Sequence, residues 1–191
     1  MYLFADHLSI EVFFHNNRGF ERDCVILLSE MKRNMLQFTI KGIALDNENQ
    51  LPIIILQNPE INRIIPLLIG PFEASAIIIE LEDVKPQRPL THDLLSEFFI
   101  KHNYKLRYIY IYDFIDDNYI AKIIYKKGLK NFSLEIRPSD GIALALRLGS
   151  PIYVSPEVAD TAALNSHLLE NNYYLSDMLY LNHENFDTHI M

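Results

Sequence analysis

Two acidic residues occupy equivalent places in two similar stretches of the sequence. Residues 69–76 read I-G-P-F-E-A-S-A and residues 136–143 read I-R-P-S-D-G-I-A, so Glu73 and Asp140 each follow a proline by two positions. An apolar run that suits a helix follows each stretch. A fold built from two related halves would bring both carboxylates to related positions, and carboxylates are the usual ligands of hard divalent cations.

A histidine and a third acid lie side by side in another segment. His92 and Asp93 belong to R-P-L-T-H-D-L-L (88–95), where a helix is predicted to begin. Because a helix N-terminus disfavours the imidazolium cation, His92 is the best candidate for a general base or metal ligand among the histidines. Its alternative role is structural, as a hydrogen-bond partner of a loop carbonyl. The other histidines show no metal-ligand spacing such as H-E-x-x-H.

The three acids also have a structural alternative. Glu73, Asp93 and Asp140 all fall in the first turn of a predicted helix. A carboxylate in that position stabilises its helix by about 0.3 to 1 kcal/mol without any catalytic role. From the residues alone, metal binding and helix stabilisation are both open for each of them.

Two arginines could hold a phosphate group. Arg88 and Arg137 carry planar guanidinium forks, which match the oxygens of a phosphate. Arg137 is the better candidate, but it could equally pair with Glu73 or Asp140 across the two halves. The sequence contains no P-loop, no dinucleotide-binding glycine pattern and nothing that resembles a nucleophilic triad.

The repeat extends to the elements that would position these residues. Each half is predicted to hold three strands and then a helix: strands 36–45, 51–58 and 62–69 with helix 71–82, and strands 105–114, 119–126 and 131–137 with a helix that starts at Pro138 and ends at Gly149. We therefore expect an α+β fold, a single domain built from a duplicated three-strand-plus-helix unit, with mixed or antiparallel sheets packed against helices.

Further elements are predicted around the two halves. Thr91 is expected to cap a helix between them, and Ser139 is expected to cap the helix of the second half. A short strand at 151–154 and a helix from Pro156 follow. The apolar face of the middle helix is predicted to comprise Leu94, Leu95, Phe98 and Phe99.

Three tyrosines alternate along one predicted strand. Tyr108, Tyr110 and Tyr112 would share one face of the sheet, with Ile109 and Ile111 on the other. The tyrosine row could stack on single-stranded bases. The commoner use of such a row is packing under a helix or at a dimer interface, and the two isoleucines favour burial of both faces.

Composition sets limits on the class of protein. The chain has 191 residues, of which 49% are hydrophobic and 22% charged, which is ordinary for a globular domain. No apolar run is long enough to cross a membrane, and the N-terminus lacks the basic region of a secretory signal. A lone Cys24 cannot form an internal disulfide bond. We expect a cytoplasmic protein that does not associate with a membrane.

The sequence divides into three regions. Residues 1–34 are an N-terminal extension or the result of a start codon assigned too early, since Met31 and Met35 directly precede the first strand. Residues 35–155 form the main domain, and residues 156–191 a helix with an acidic tail that has no Lys or Arg. The net charge of −8 disfavours tight, sequence-independent binding to duplex nucleic acid, but it allows transient contact at a local basic site.

Several of these segments together resemble the bifunctional nuclease domain family. The resemblance rests on K-G-I-A-L-D (41–46), I-G-P-F-E-A-S-A-I (69–77), R-P-L-T-H-D-L-L (88–95) and R-P-S-D-G-I-A-L-A-L-R (137–147), and spans residues 36–155. It implies an α+β domain, a homodimer, and nuclease activity on RNA and DNA. Gly141 stands where the family usually has alanine, which puts the stability of its helix in question.

If the protein is a nuclease, each candidate residue has a role in the reaction. Phosphodiester hydrolysis needs an activated water and stabilisation of charge on the phosphoryl oxygens, which a carboxylate-bound Mg²⁺ or Mn²⁺ commonly supplies. The predicted site comprises Glu73, Asp93 and Asp140 as metal ligands and catalytic acids, His92 as base, and Arg137 and Arg88 for the substrate. The alternative function is a non-catalytic dimeric module that binds a protein or small ligand and uses the same acids structurally.

Overall fold

The computed structural model describes residues 35–45 and 51–161, which belong to one compact unit that begins at Met35. The predicted N-terminal extension, residues 46–50 and the predicted acidic tail beyond residue 161 lie outside the described residues. The elements in chain order are β1 (Leu36–Leu45), β2 (Pro52–Asn58), β3 (Arg63–Leu68), α1 (Pro71–Leu81), α2 (Thr91–Lys101), β4 (Lys105–Ile115), β5 (Asn118–Lys127), β6 (Lys130–Ile136), α3 (Pro138–Leu148), β7 (Ile152–Val154) and α4 (residues 156–161).

The strands form one mixed sheet in the order β3-β2-β1-β7-β4-β5-β6. Each set of three strands is an antiparallel meander, and a helix follows each meander. The short strand β7 joins the two meanders, because it pairs antiparallel with β1 and parallel with β4. The predicted α+β class and its duplicated three-strand-plus-helix unit are confirmed.

The core lies between the sheet and the helices. Strand β2 consists of a nearly continuous apolar run and is buried along almost its whole length, as expected for a strand covered on both faces. Strand β4 alternates, so that Ile109 and Ile111 are fully buried. Helix α3 packs on β4 and β5 and also contacts α1 and α2. Both α1 and α2 therefore pack against α3.

The helix starts differ from prediction in two places. Arg137 is the N-cap of α3 and Pro138 its first residue, so Ser139 is not the cap. Leu90 is the N-cap of α2, and Thr91 already lies inside the helix. In α2 the reason is a hydrogen bond of 2.7 Å from the Leu90 amide to the carboxylate of Asp93, which fixes the helix start one residue earlier. Gly149 ends α3 in the left-handed conformation as predicted, with φ of 60°.

The predicted apolar face of α2 is only partly buried. Phe99 lies in the core, whereas Leu94, Leu95 and Phe98 are exposed. Helix α2 meets α3 in part through Asp93, which is bonded to a side chain of α3. A polar contact therefore contributes to the packing of this helix pair.

The tyrosine row lies on the opposite face of β4 from the buried isoleucines. All three tyrosines are half-buried, and neighbouring rings contact them: Tyr108 meets Tyr153 edge-on, with centroids 5.5 Å apart. The Lys122 ammonium lies 4.5 Å from the centroid of the Tyr112 ring. Burial of both faces is therefore only partial, and base stacking on this row stays a prediction.

Gly141 packs directly against β4 and β6. A methyl group added there would overlap the terminal Cδ1 atoms of Ile109 and Ile136. Inside a helix, alanine stabilises the folded state by roughly 1 kcal/mol relative to glycine, but overpacking a core destabilises it by about 1 to 3 kcal/mol. We expect Gly141→Ala to lower the free energy of unfolding by about 1 kcal/mol, measured by urea denaturation.

A second substitution tests the cause of that loss. Ile109→Val removes the overlapping Cδ1 atom and by itself costs about 0.5 to 1.5 kcal/mol. The double variant Gly141→Ala/Ile109→Val should lose less free energy of unfolding than the sum of the losses in the two single variants, by at least about 0.5 kcal/mol. Additive effects, or a Gly141→Ala variant more stable than wild type, would show that the close packing does not limit residue 141.

Candidate active site

The two repeated junctions meet at one guanidinium group. Arg137 Nη2 lies 2.8 Å from Glu73 Oε1, and Arg137 Nε and Nη2 lie 2.8 and 3.1 Å from the two carboxylate oxygens of Asp140. The hydrogen bond with Asp140, and next its charge, raise the pKa of Arg137 above its ordinary value. The first turns of α1 and α3 are thus linked by one cation, which is the pairing that the sequence suggested as an alternative to phosphate binding.

Helix α2 adds the histidine. His92 Nε2 lies 3.2 Å from Asp140 Oδ1, and both side chains are largely shielded from solvent. The observed partner of His92 is therefore a carboxylate on another helix, which differs from the loop carbonyl of the structural alternative. We call Glu73, His92, Arg137 and Asp140 the Arg137 cluster.

The acids of this cluster lie in the first turns of α1 and α3, and their side chains reach beyond their own helix ends to Arg137 and His92. Neither α1 nor α3 has a side-chain hydrogen bond at its N-cap. The carboxylate of Glu73 folds back over Gly70, where any Cβ atom would overlap it. Glycine at position 70 therefore leaves the space that Glu73 needs in order to reach Arg137.

Comparison with known proteins identifies the family of this chain. Residues 54–167 match the model of the bifunctional nuclease domain. The chain belongs to the bifunctional nuclease domain family. The match starts later and ends later than the span of 36–155 suggested by the motifs, and it contains every residue of the Arg137 cluster.

Relatives of this bifunctional nuclease domain include proteins with and without a named activity. An uncharacterized protein of Mycobacterium tuberculosis is 35% identical over 130 residues, which cover 68% of this chain and 77% of that protein. Bifunctional nuclease 1 of rice, Oryza sativa subsp. japonica, is 25% identical over 112 residues, or 57% of this chain and 30% of its own length. Bifunctional nuclease 2 of the same plant is 24% identical over 123 residues, or 63% and 34%.

Asp93 makes a different set of contacts in this bifunctional nuclease domain. Its Oδ1 atom lies 2.5 Å from Arg147 Nε, and its Oδ2 atom accepts the Leu90 amide. Burial acts to raise the pKa of Asp93, but the hydrogen bonds from Arg147 and Leu90 and the nearby positive charge outweigh it, so that the pKa is lowered. The contacts of Asp93 are those of a residue that holds α2 against α3.

Arg147 is the partner of Asp93, and it was not among the residues predicted from the sequence. Its side chain is only 4% exposed, and it also donates to the carbonyl oxygens of Ala143 and Ala76, 3.0 and 3.1 Å away. It therefore joins α1, α2 and α3. A signal was present, because Arg147 interrupts the apolar run L-A-L-R-L, and a charge on a buried helix face is normally paired.

Two further predictions concern Arg88 and the binding of a metal ion. Arg88 is exposed in the loop between α1 and α2, and it makes no hydrogen bond or ion pair to the Arg137 cluster within the described part of the chain. Among residues 35–45 and 51–161, no group of three or more His, Cys, Asp or Glu side chains is arranged to bind a metal ion. Joint ligation of a metal by Glu73, Asp93 and Asp140 stays a prediction.

Proposed function

We propose that the protein is a metal-assisted nuclease that hydrolyses phosphodiester bonds of RNA, DNA or both at the Arg137 cluster. Family membership supports the reaction class. The observation that carries the location is the convergence of three helix starts on one arginine, two carboxylates and one histidine. These are the residue types that phosphoryl-transfer sites use to bind phosphate, position groups and move protons.

Arg137 is the residue that binds the phosphate in this proposal. Its side chain is 67% exposed. Its Nε and Nη2 atoms face Glu73 and Asp140, and its Nη1 atom takes no part in those contacts. The Nη1 atom can therefore donate to a phosphate oxygen while the carboxylates hold the guanidinium plane in place.

His92 is the proton acceptor. When its Nε2–H donates to Asp140, the other ring nitrogen, Nδ1, is the one able to accept a proton from water. The oxygen of that water forms the new bond to phosphorus, and the bond to the leaving nucleoside oxygen breaks. Protonated His92 or a second water then returns a proton to the leaving oxygen. Asp140 acts by orienting the ring, as the acid does in other histidine-carboxylate pairs.

The two carboxylates of the cluster suit a divalent cation that keeps part of its water shell. They do not form a cage made of protein ligands alone. Mg²⁺ typically keeps several waters and binds through one or two carboxylates together with substrate phosphate. Glu73 and Asp140 are the residues that would hold it, and the bound ion would neutralise charge on the phosphoryl oxygens. Asp93 is the least suited of the three predicted ligands, since it binds Arg147 and Leu90 and, within the described residues, makes no hydrogen bond or ion pair with the Arg137 that joins Glu73 and Asp140.

We also propose that the protein is a cytoplasmic homodimer that contacts nucleic acid transiently. Strand β6 is an edge strand of the sheet and is exposed along nearly its whole length, including Phe132 and Leu134. Free edges of this kind pair readily with another chain. No helix among the described residues is long and apolar enough to span a membrane. The net charge of −8 favours transient over tight contact with nucleic acid.

The second candidate function is a non-catalytic binding module. It is favoured by the ion pairs of Arg137, since an arginine that bridges two carboxylates also serves as a structural clamp between the halves of the domain. In that case a protein or small ligand would bind at the same surface, and no phosphodiester bond would break.

Metal dependence separates the two functions. We expect the purified protein to cleave labelled single-stranded RNA or DNA with Mn²⁺ or Mg²⁺, to stop with EDTA, and to resume when metal is restored. Glu73→Gln should raise the metal concentration that gives the half-maximal rate by about tenfold or more, because substitutions in the surroundings of a metal typically weaken metal binding to that extent. Glu97→Gln changes an exposed acid paired with Lys101 and should leave that concentration unchanged. Cleavage that EDTA does not affect would exclude the metal, and no cleavage under any condition would favour the binding module.

A further inference from the structure

The residue before Glu73 is an exposed aromatic. Phe72 is the second residue of α1 and its side chain is 87% exposed, the highest value of any phenylalanine that the structure describes. A single exposed apolar residue is common on protein surfaces and needs no explanation by itself. The position of Phe72 does need an explanation, because Phe72 directly precedes Glu73, the acid that pairs with Arg137.

The two repeated junctions differ at this position. Phe72 of the first junction corresponds to Ser139 of the second, in the same way that Glu73 corresponds to Asp140. Ser139 is 7% exposed, so the second junction turns this position inward whereas the first presents it to solvent. The position two residues earlier also differs, with Gly70 in the first junction and Arg137 in the second. One junction thus supplies a cation and the other an exposed aromatic ring.

Phe72 is linked to Arg137 through Glu73, its neighbour in the chain. The Cα atoms of Phe72 and Glu73 are about 3.8 Å apart, as for any consecutive residues. The Glu73 carboxylate is in turn 2.8 Å from Arg137 Nη2. A phosphate bound by Arg137 would therefore bring its own nucleoside, or the adjacent one, to the surroundings of Phe72.

We propose that Phe72 stacks on an unpaired base beside the phosphate held by Arg137, and that the site consequently selects single-stranded nucleic acid over continuous duplex. This proposal rests on the nuclease function. A base inside a duplex is stacked on both faces and must leave the helix before it can offer a face to an aromatic ring. Stacking also supplies affinity that does not depend on positive charge, which suits a chain with a net charge of −8.

The first test is binding without cleavage. Wild type in EDTA is titrated with a short single strand that contains 2-aminopurine, whose fluorescence falls when the base stacks, and with the same strand annealed to its complement. Wild type should quench the single strand and bind the duplex more weakly. Phe72→Ala should weaken single-strand binding by about 5- to 150-fold, the range that corresponds to one lost stacking contact. Phe72→Trp should keep both the affinity and the quench.

A matched control removes another exposed apolar side chain. Leu129→Ala changes a fully exposed residue in the turn between β5 and β6 and should bind as wild type does. Equal binding by Phe72→Ala and wild type, or equal affinity of wild type for single strand and duplex, would overturn the proposal.

The second test separates this proposal from the nuclease function itself. Metal-dependent cleavage of a single strand is compared for wild type and Phe72→Ala. Cleavage by wild type with an unchanged kcat/KM in Phe72→Ala overturns the stacking role and leaves the nuclease intact. A higher KM for single strands in Phe72→Ala, with little change on duplex, supports the stacking role. Absence of both binding and cleavage in wild type overturns the two proposals together.

Discussion

Asp140→Asn is expected to lower kcat for cleavage of single-stranded RNA or DNA by about 10²- to 10⁴-fold, the usual contribution of acid–base catalysis. The reason is the double role of this carboxylate, which accepts from His92 at 3.2 Å and pairs with Arg137 through both oxygens. An amide of the same shape carries no charge and offers one acceptor oxygen, so it neither fixes the histidine tautomer nor holds both nitrogens of the guanidinium. The measurement is steady-state kinetics on a labelled oligonucleotide, with circular dichroism to show that the variant is folded.

A control variant distinguishes this effect from the loss of any surface ion pair. Asp160→Asn breaks an exposed pair of 3.2 Å with Arg63, outside the Arg137 cluster. Exposed pairs of this type contribute little to stability. Asp160→Asn should therefore keep kcat within about twofold of wild type. A folded Asp140→Asn variant that retains more than about a tenth of the wild-type kcat would contradict the catalytic role of Asp140.

Arg147→Met is expected to cause the largest loss of stability, about 3 kcal/mol, the lower end for removing one partner of a buried ion pair. The side chain of Arg147 is almost fully buried, and the substitution removes the guanidinium group that pairs with the Asp93 carboxylate and donates to the carbonyl oxygens of Ala143 and Ala76. The lower end applies because Asp93 is partly exposed and water can solvate it. Urea denaturation at pH 7 gives the free energy of unfolding of both proteins.

The pH dependence of that loss tests its cause. In wild type the lowered pKa of Asp93 contributes stability that is present above the pKa of the unfolded state, about 3.9, and is lost as pH falls through the lower folded value. In Arg147→Met, the hydrogen bond and the charge of Arg147 no longer lower the pKa of Asp93, so burial favours the neutral carboxyl group. Acid therefore no longer removes stability through Asp93 in this variant. The stability difference between wild type and Arg147→Met should therefore narrow as pH is lowered from 6 to 3. A difference that stays constant over this range would show that Arg147 acts through packing alone.

Much of the fold follows from local sequence. The β-branched runs and the turns between them predicted the strands of both meanders to within a residue or two. The prolines at positions 71 and 138 marked the starts of α1 and α3, because proline at the first helical position loses no hydrogen bond. The internal repeat went further, since it predicted that Glu73 and Asp140 would come to related positions. One guanidinium group now joins them.

The parts that sequence could not predict depend on residues far apart in the chain. Asp93 looked equivalent to Glu73 and Asp140, since all three are acids in a first helical turn. Its contacts are set by Arg147, which lies on another helix and becomes a neighbour only after α3 has packed against α2. The exposure of Leu94 and Phe98 has the same origin, since helical spacing predicts a shared face but does not determine how much of that face a neighbouring helix covers.

The central claim is that this domain hydrolyses phosphodiester bonds at the Arg137 cluster. Its most direct test compares wild type, His92→Ala and Asp140→Asn, purified in parallel and confirmed to be folded, on labelled single-stranded RNA and DNA with Mn²⁺, Mg²⁺ or EDTA. We expect metal-dependent cleavage by wild type and its loss in both variants. Equal cleavage by all three proteins would point to a contaminating nuclease and would contradict the claim.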